Sequence, residues 1–225
     1  MSVEKVQIVE KILDANDQMA LENQQVFDQE GILAINIMAS PGAGKTSLIL
    51  RTIEGLSPQY KIAVIEGDTA PVTIDADKVN ARGIPVTQIN TGGDCHLDAL
   101  MVRKGMQALN LKGIDLVIIE NVGNLVCPAA FKLGSHNNVV VASIPEGDDK
   151  PYKYPNIYRG IQCLVLNKTD LLPYVDFNLD YFKQGIRILN PTADILPLSS
   201  KTGEGMDAWL AWLRARIGEK KHAAK

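Results

Sequence analysis

The sequence predicts an α/β protein with a mostly parallel β-sheet that is flanked by helices. Short apolar runs rich in Val and Ile alternate with longer amphipathic stretches along most of the chain. This alternation is typical of βαβ units, and nearly continuous apolar runs are typical of strands that are buried on both faces. Seven runs are predicted strands, at residues 32–38, 62–66, 86–89, 116–119, 139–142, 161–166 and 195–198.

The composition favours a cytoplasmic protein with one main domain. A chain of 225 residues, 46% of them hydrophobic, can bury a sizeable core. The net charge of −3 argues against a nucleic-acid partner, which would require a basic face. No apolar run is long enough to predict a membrane span, and charges interrupt the N-terminal stretch where a secretory signal would be apolar. Three cysteines are too few for a disulfide framework, so we expect free thiols in a reducing compartment.

A glycine-rich loop follows the first predicted strand. Residues 39–47 read ASPGAGKTS, which nearly matches G-x-x-x-x-G-K-[ST], with Ala39 in place of the first glycine. In such a loop the backbone N–H groups surround phosphate oxygens, the lysine reaches the β- and γ-phosphates, and the threonine binds Mg²⁺. The alternative is an ordinary glycine-rich turn between a strand and a helix. The predicted nucleotide contacts here are Gly42, Ala43, Gly44, Lys45, Thr46 and Ser47.

Two later motifs favour GTP over ATP. An N-K-x-D pattern at residues 167–170 follows the sixth predicted strand, and a carboxylate at Asp170 can accept hydrogen bonds from guanine N1–H and the exocyclic amine. Residues 198–201, LSSK, resemble the loop that lies behind the base in proteins with this pattern. The predicted base-side contacts are Asn167, Lys168, Asp170, Ser200 and Lys201.

These motifs divide the chain into three predicted segments. Residues 1–30 have apolar positions near helical spacing and form an N-terminal helical extension. Residues 31–218 carry the strands and the nucleotide motifs and form a P-loop GTPase domain. The last predicted helix begins near Glu204, and residues 219–225 are expected to form a flexible tail.

Acidic residues at or after strand ends predict the Mg²⁺ site and the catalytic groups. Glu120 ends an apolar run, as the acid of a Walker-B strand does, although a surface acid at a strand end is the alternative. Asp75 is the candidate that orients the attacking water or contacts Mg²⁺, and Asp68 is a second candidate for the magnesium shell. The predicted catalytic residues are Lys45, Asp75 and Glu120. The predicted Mg²⁺ residues are Thr46, Asp68, Asp75 and Glu120.

Two of the three cysteines lie in loops and suit a metal ion. Cys95 and His96 are adjacent, and Cys127 follows the Glu120 loop. Thiolate and imidazole are ligands that suit zinc or nickel, but one chain is one ligand short of a closed tetrahedron, which a symmetric dimer would supply. The alternative is a buried Cys127 and an exposed His96 with no metal. Cys163 lies inside an apolar strand and is predicted to be a core residue.

Together, these motifs resemble the HypB family, the GTPases of hydrogenase nickel insertion. The resemblance covers nearly the whole chain and includes SPGAGKTS, NTGGDCHLDA, IIENVGNLVCP, EGDDKPYKYP and NKTD. It implies the P-loop fold of the signal-recognition-particle/MinD (SIMIBI) class and slow GTP hydrolysis with Mg²⁺. It further implies a homodimer when GTP is bound, with Ni²⁺ or Zn²⁺ at the interface through Cys95, His96 and Cys127. The implied partners are a HypA-type nickel chaperone and the hydrogenase large subunit.

The resemblance does not decide the roles of two residues, and it leaves three alternative functions to be distinguished. Lys153 matches a family lysine that reaches the nucleotide across the dimer, although a surface lysine is the alternative. Leu100 stands where some relatives carry a further histidine. Three other functions remain possible: a GTP-regulated dimer with a structural zinc, a related GTPase of the urease or cobalamin pathway, and a kinase that uses the same phosphate loop.

Overall fold

A seven-stranded parallel β-sheet forms the centre of the protein. The computed structural model describes residues 8–70 and 72–223. The strands are β1 (Leu33–Ala39), β2 (Ile62–Asp68), β3 (Val86–Asn90), β4 (Leu116–Glu120), β5 (Asn137–Ser143), β6 (Cys163–Asn167) and β7 (Asp194–Pro197). They lie in the order β3-β2-β4-β1-β5-β6-β7, and every neighbouring pair is parallel. All seven predicted strands are present, and the predicted α/β class is confirmed.

Helices connect the strands and flank the sheet, as parallel strands require. In chain order they are α1 (Ile8–Gln29), α2 (Lys45–Leu56), α3 (Ile74–Asn80), α4 (Ala99–Ala108), α5 (Lys150–Lys153), α6 (Pro155–Arg159), α7 (Leu179–Leu189) and α8 (Met206–Ala223). Short 3₁₀ turns at Cys127–Ala129, Ile144–Glu146 and Thr169–Tyr174 follow β4, β5 and β6. Within residues 8–70 and 72–223, no helix combines the length and apolar character that crossing a bilayer requires.

Alternate side chains of the central strands pack on opposite faces of the sheet. Ile35 and Ile37 of β1 share one apolar cluster with residues of α2 and with Trp209 of α8. Ala34, between them in sequence, shares a second cluster with Phe27 of α1 and residues of α4. A third cluster covers β5 and β6 with α6 and α7. Because both faces are covered, the strands carry nearly continuous apolar sequence rather than an alternating pattern.

The first and last helices are packed more closely against the domain than the predicted N-terminal extension and C-terminal tail suggest. α1 lies in the predicted helical extension, but Phe27 at its C-terminal end is completely buried, so this helix is part of the core. Residues 1–7 lie outside the described range. α8 begins at Met206 and continues to Ala223, so residues 219–223 are helical where the sequence predicts a flexible tail. Lys220 pairs with Asp28 of α1, and Lys221 Nζ lies 2.6 Å from Asp115, which explains why the helix continues.

The chemistry-bearing residues gather at one edge of the sheet. The phosphate loop follows β1, while Glu66 and Asp68 end β2, Glu120 ends β4, and Asn167 ends β6. Because all strands are parallel, their carboxyl ends lie on the same edge, where open α/β sheets bind ligands.

Candidate nucleotide and metal site

The phosphate loop turns sharply between β1 and α2. Gly42 has φ +77° and Gly44 has φ +101°, both in the region that L side chains rarely adopt. A Cβ atom on Gly44 would also lie 2.4 Å from Asn167 Nδ2, so the loop and β6 approach each other too closely for any side chain there. α2 begins at Lys45, directly after this turn, and its N-terminus gives the loop free backbone N–H groups suited to an anion.

The loop after β6 is bonded directly to the phosphate loop. Lys168 Nζ donates to the Gly42 carbonyl at 2.6 Å, and Asn167 Nδ2 donates to the Ala43 carbonyl at 3.0 Å. Lys168 has φ +62° and is the one non-glycine residue with positive φ in the described ranges. Since these bonds join residues more than 120 positions apart, the N-K-x-D motif and the phosphate loop form one structural unit.

The second base-side loop completes this unit. Ser199 Oγ donates to Asp170 Oδ1 at 2.6 Å, and Ser200 N donates to Asn167 Oδ1 at 3.0 Å. Arg51 of α2 donates from Nε to the Ser200 carbonyl at 3.0 Å and from a terminal nitrogen to the Lys201 carbonyl at 3.1 Å. The structure thus brings all the residues predicted to contact the base to one end of the phosphate loop.

The residues predicted to bind Mg²⁺ meet beside the phosphate loop. Thr46 Oγ1 lies 2.9 Å from Glu120 Oε1 and 3.2 Å from Asp75 Oδ2. Asp68 lines the same cavity of about 300 Å³ as Lys45, Asp75 and Glu120. Asp75 Oδ1 also accepts a hydrogen bond of 2.6 Å from Lys78 Nζ. The donor set is entirely oxygen, which fits a hard divalent cation such as Mg²⁺.

Glu66 is a member of this cluster that the sequence analysis did not select. It pairs in register with Glu120 across β2 and β4, and both side chains are buried. Within the described part of the chain, one carboxylate oxygen of each is buried without a hydrogen-bond partner. The E-G-D sequence at the end of β2 was the available signal, because an acid at the end of a buried strand faces the same edge as Glu120.

Burial and mutual repulsion change the acidity of this pair. Burial, together with the negative charges of Glu120, Asp68 and Asp75, raises the pKa of Glu66 to about 8. Burial raises the pKa of Glu120 to about 7, against the opposing effect of the Lys45 charge and the Thr46 hydrogen bond. The positive charge of Lys45 does not offset the effect of burial on the pKa values of these two carboxylates. A bound divalent cation would add positive charge and favour their ionised forms.

Cys95, His96 and Cys127 form a compact group beside this cavity. One potential ligand atom from each lies within 4.8 Å of the others, with the two Sγ atoms 2.9 Å apart. His96 Nδ1 lies 4.0 Å from Cys95 Sγ, and the His96 ring stacks on Phe131 with centroids 3.9 Å apart. The hydrogen bond from Cys95, with burial, raises the pKa of Cys127, so a metal ion would compete with protons for this thiol.

The metal-ligand group and the nucleotide cavity are contiguous. Cys95 itself lines the cavity that Lys45 and Glu120 line. The loop after β4 contacts the Cys95 segment directly: Asn124 Nδ2 donates to the Cys95 carbonyl at 3.3 Å, and Leu97 N donates to Asn121 Oδ1 at 3.1 Å. A change in the Glu120 loop therefore has a direct physical path to Cys95, a candidate metal ligand.

Three other residues singled out in the sequence lie apart from this cavity lining. Cys163 is completely buried in β6 within the core, as predicted, and burial raises the pKa of its thiol well above the usual range. Lys153 is an exposed residue of α5 that pairs with Asp149, and it does not line the cavity that Lys45 and Glu120 line. Leu100 is half-exposed in the first turn of α4.

Comparison with known proteins finds relatives that are similar to this chain in sequence and in fold. A family model for the CobW/HypB/UreG nucleotide-binding domain matches residues 33–197. Hydrogenase maturation factor HypB from Rhizobium leguminosarum bv. viciae is 47% identical over 214 residues, covering 95% of this chain and 71% of that protein. The crystal structure of HypB from Helicobacter pylori in complex with nickel has a TM-score of 0.87 and 34% identity, covering 92% of this chain and 97% of that one. The signal recognition particle receptor FtsY from Elizabethkingia anophelis in complex with GDP shares the fold alone, at a TM-score of 0.51 and 15% identity, with 82% and 66% coverage.

The parallel sheet, the phosphate loop and the strand-end acids define a P-loop nucleotide-binding protein. Among such proteins, the family model, the sequence identity to HypB relatives and the structural match to HypB identify the particular family. The chain belongs to the HypB family of hydrogenase maturation factors.

Proposed function

We propose that this protein is a GTP-hydrolysing metallochaperone that assists nickel insertion into [NiFe]-hydrogenase during enzyme maturation. The observation that carries the proposal is that Cys95 lines the cavity containing Lys45 and Glu120, so one cavity borders both the nucleotide and metal residues. The relatives named hydrogenase maturation factor HypB support the hydrogenase pathway over the cobalamin pathway, and the relative from Helicobacter pylori is named a hydrogenase/urease maturation factor. Binding and hydrolysis of GTP would change the loops that touch Cys95 and thereby change how tightly the metal is held.

Guanine recognition is assigned to the two loops that follow β6 and β7. Asp170 would accept hydrogen bonds from guanine N1–H and the exocyclic amine, while Ser199 holds its carboxylate in place. Asn167 and Lys168 keep this loop against the phosphate loop, and Ser200 and Lys201 would lie behind the base. The phosphates would be held by the backbone of residues 42–47, with Lys45 at the β- and γ-phosphates.

The acidic cluster is assigned to Mg²⁺ and to the attacking water. Thr46, Asp68, Asp75 and Glu120 would hold the ion, which neutralises charge on the β- and γ-phosphates when it is bound. Asp75 would orient the water that attacks the γ-phosphate, and the products would be GDP and inorganic phosphate. Lys45 would stabilise negative charge that develops on the transferred group.

The metal to be delivered is assigned to Cys95, His96 and Cys127. Two thiolates and one imidazole suit Ni²⁺ or Zn²⁺, and a second copy of the chain would complete the coordination. We place this site at the interface of a homodimer that forms when GTP is bound, with Lys153 reaching the nucleotide of the other copy. A HypA-type nickel chaperone and the hydrogenase large subunit are the proposed partners.

Two measurements distinguish a delivered metal from a structural zinc. Equilibrium dialysis with Ni²⁺ or Zn²⁺ in the presence of GDP, and then of a non-hydrolysable GTP analogue, should show a nucleotide-dependent change in metal affinity. Cys95→Ala should abolish stoichiometric binding, and Cys163→Ala is the matched control because that thiol is in the core. Size-exclusion chromatography should show twice the mass with the analogue. A zinc ion held equally in both nucleotide states would support the structural-zinc alternative instead.

Base specificity and reaction type need their own tests. Asp170→Asn should shift the nucleotide preference from GTP to xanthosine triphosphate. The Asp170 carboxylate would accept from the guanine amine at C2, whereas an asparagine amide can donate to the carbonyl that xanthine carries at that position. Release of inorganic phosphate from GTP, without labelling of any phosphoacceptor, should separate hydrolysis from the kinase alternative. An unchanged preference in the Asp170→Asn protein would contradict the assignment of this residue.

A further inference from the structure

Two segments carry the three candidate metal ligands, and both rest on helix α1. The first contains Cys95 and His96 and leads into α4 at Ala99, while the second runs from Cys127 to Gly134. We call them the first and second ligand segments. They come from different strand connections, so their spacing is a property of tertiary packing and not of the local sequence.

Asn16 of α1 bonds to both ligand segments at once. Its Oδ1 accepts a hydrogen bond of 2.9 Å from the Ala99 backbone N–H, and its Nδ2 donates at 2.9 Å to the Lys132 carbonyl. Ala99 lies three positions after His96, and Lys132 lies five positions after Cys127. One amide group therefore bridges the two backbones close to their ligands.

Asn23 repeats this bridge two helical turns later on the same face of α1. Its Nδ2 donates to the Ala99 carbonyl at 2.8 Å and to the Leu133 carbonyl at 3.1 Å. Its Oδ1 accepts from Arg103 Nε at 2.6 Å, which defines the orientation of the amide. Asn23 is completely buried, and its replacement by an apolar side chain would remove the donor to the Leu133 carbonyl and the acceptor for Arg103 Nε.

The backbone of the second ligand segment also lies unusually close to α1. A Cβ atom on Gly134 would lie 2.5 Å from the Ala20 carbonyl oxygen, and Ala20 is one helical turn from both asparagines. Phe131 of the same segment stacks on His96, so the two segments also meet each other beside the ligands. The position of α1 thus contributes to the distance between the two ligand segments, together with their direct contact.

We infer that Asn16 and Asn23 are positioning residues for the metal site, and that the seating of α1 sets its affinity for the metal ion. This inference rests on the proposed metal site, but it assigns control of metal affinity to α1, separately from control by the bound nucleotide. The Asn121 and Asn124 contacts join the first ligand segment to the nucleotide loop, whereas the two α1 asparagines join both segments to a helix outside the nucleotide cavity. A force that moves α1 would loosen the site without any change in the bound nucleotide.

Asn16→Asp provides the sharpest test, because it cuts one side of one bridge. The carboxylate can still accept from Ala99 N–H but cannot donate to the Lys132 carbonyl. Asn23→Leu removes the second bridge with little change in volume. Gln18→Glu is the matched control, since it makes the same amide-to-carboxylate change at an exposed position of the same helix. Circular dichroism and thermal unfolding of each variant identify the folded proteins to be compared.

The first readout is free of metal. Dibromobimane bridges two nearby thiols and becomes fluorescent when it does so, which reports the closeness of Cys95 and Cys127. We expect Asn16→Asp and Asn23→Leu to slow bridging relative to wild type and Gln18→Glu, with the rate of single alkylation by iodoacetamide unchanged. Equal bridging rates in folded variants and wild type would overturn the inference.

The second readout is the metal itself. Competition with a chelator should show Ni²⁺ affinity reduced roughly 10- to 100-fold in the two asparagine variants, as for other residues that hold metal ligands in place. Their thiolate-to-nickel absorption should weaken or shift, while GDP affinity stays at the wild-type value. Wild-type nickel affinity and spectrum in folded variants would overturn the inference. Failure of the wild-type protein to bind nickel would instead refute the proposed metal site, and the bridging rates would still test the role of α1.

Discussion

Lys168 Nζ donates a 2.6 Å hydrogen bond to the carbonyl oxygen of Gly42 and so joins the loop after β6 to the phosphate loop. Asn167 makes a second link, to the Ala43 carbonyl at 3.0 Å. Both donors bond to main-chain carbonyl oxygens, so neither occupies a backbone N–H group of the loop. Two residues that we assign to the base site therefore also hold the phosphate loop in place, through hydrogen bonds to its carbonyl groups.

Lys168→Met should weaken nucleotide binding without unfolding the protein. The substitution removes the charged donor to Gly42 but keeps a side chain of similar length. Hydrogen bonds from charged groups contribute about 1.5–3 kcal/mol, so we expect GDP affinity to fall by roughly tenfold or more. Titration with a fluorescent GDP analogue measures the change. Lys104→Met, at an exposed position of α4, is the control, and equal affinities in the two variants would contradict the role of Lys168.

Gly44→Ala should destabilise the protein more than Gly42→Ala does. Both glycines have positive φ, and an L side chain there costs about 1–3 kcal/mol. Only at Gly44 would the new Cβ also meet Asn167 Nδ2, at 2.4 Å, because no atom lies within 4 Å of the corresponding position at Gly42. Urea unfolding of the two variants compares their free energies of unfolding. Equal losses would show that the contact with Asn167 carries no cost.

Two of the three thiols should react readily in the metal-free native protein. Cys95 is exposed and Cys127 is partly exposed, whereas Cys163 is completely buried in β6. Ellman's reagent should therefore release two equivalents quickly, and the third only after unfolding. Cys95→Ala should lower the fast count to one, while Cys163→Ala should leave it at two and cost about 1 kcal/mol for the small cavity. A fast third equivalent in the native protein would contradict the burial of Cys163.

Lowering the pH should destabilise the contact of α1 with β1 and α8, because His136 hydrogen-bonds to both α1 and β1 and would become protonated. The Ala34 N–H donates to His136 Nδ1 at 2.9 Å, so the proton of the neutral ring is on Nε2, which faces Asp28 Oδ1. Burial lowers the pKa of His136, despite the opposing effect of Asp28. For Asp28, hydrogen bonds from Lys220 and His136 outweigh burial and lower its pKa. The unfolded chain therefore binds more protons at both groups, and stability is lost as the pH falls.

The first part of this loss comes from His136 and is measurable on its own. Between about pH 7.5 and about pH 5.5 the histidine of the unfolded chain becomes protonated, while Asp28 stays ionised. His136→Asn replaces Nδ1 with an amide oxygen that does not titrate, so it should reduce the fall in unfolding midpoint across this range. His222→Asn, at an exposed position of α8, should leave the fall unchanged. An identical pH dependence in both variants would contradict the assignment to His136.

The sequence identified most residues of the candidate nucleotide site because its motifs are contiguous. Residues 39–47 and 167–170 contain both the backbone geometry and the chemical groups that the chemistry needs. The carboxylate of Glu66 was missed for a different reason. Its significance comes from the in-register pairing of β2 with β4, which places it beside Glu120. No local pattern specifies which strands become neighbours, so an acid at a strand end is ambiguous until the strand order is known.

The chain termini illustrate the same limit. Residues 219–223 read as a polar, charged tail, yet they continue α8, where Lys220 pairs with Asp28 and Lys221 with Asp115. Asn16 and Asn23 likewise read as ordinary polar positions of an amphipathic helix. Hydrogen bonds to residues 76 to 116 positions away give them their role beside the candidate metal ligands.

The sequence by itself determined the α/β class, the seven strands, the phosphate loop and the identity of the candidate ligands. These follow from periodicity and from short motifs in which neighbouring residues supply the chemistry. Tertiary structure decided which groups become neighbours: Glu66 and Glu120, Cys95 and Cys127, and α1 and both ligand segments. The physical reason is that these relationships depend on strand order and helix packing, which arise from the burial of many apolar residues distributed over the whole chain.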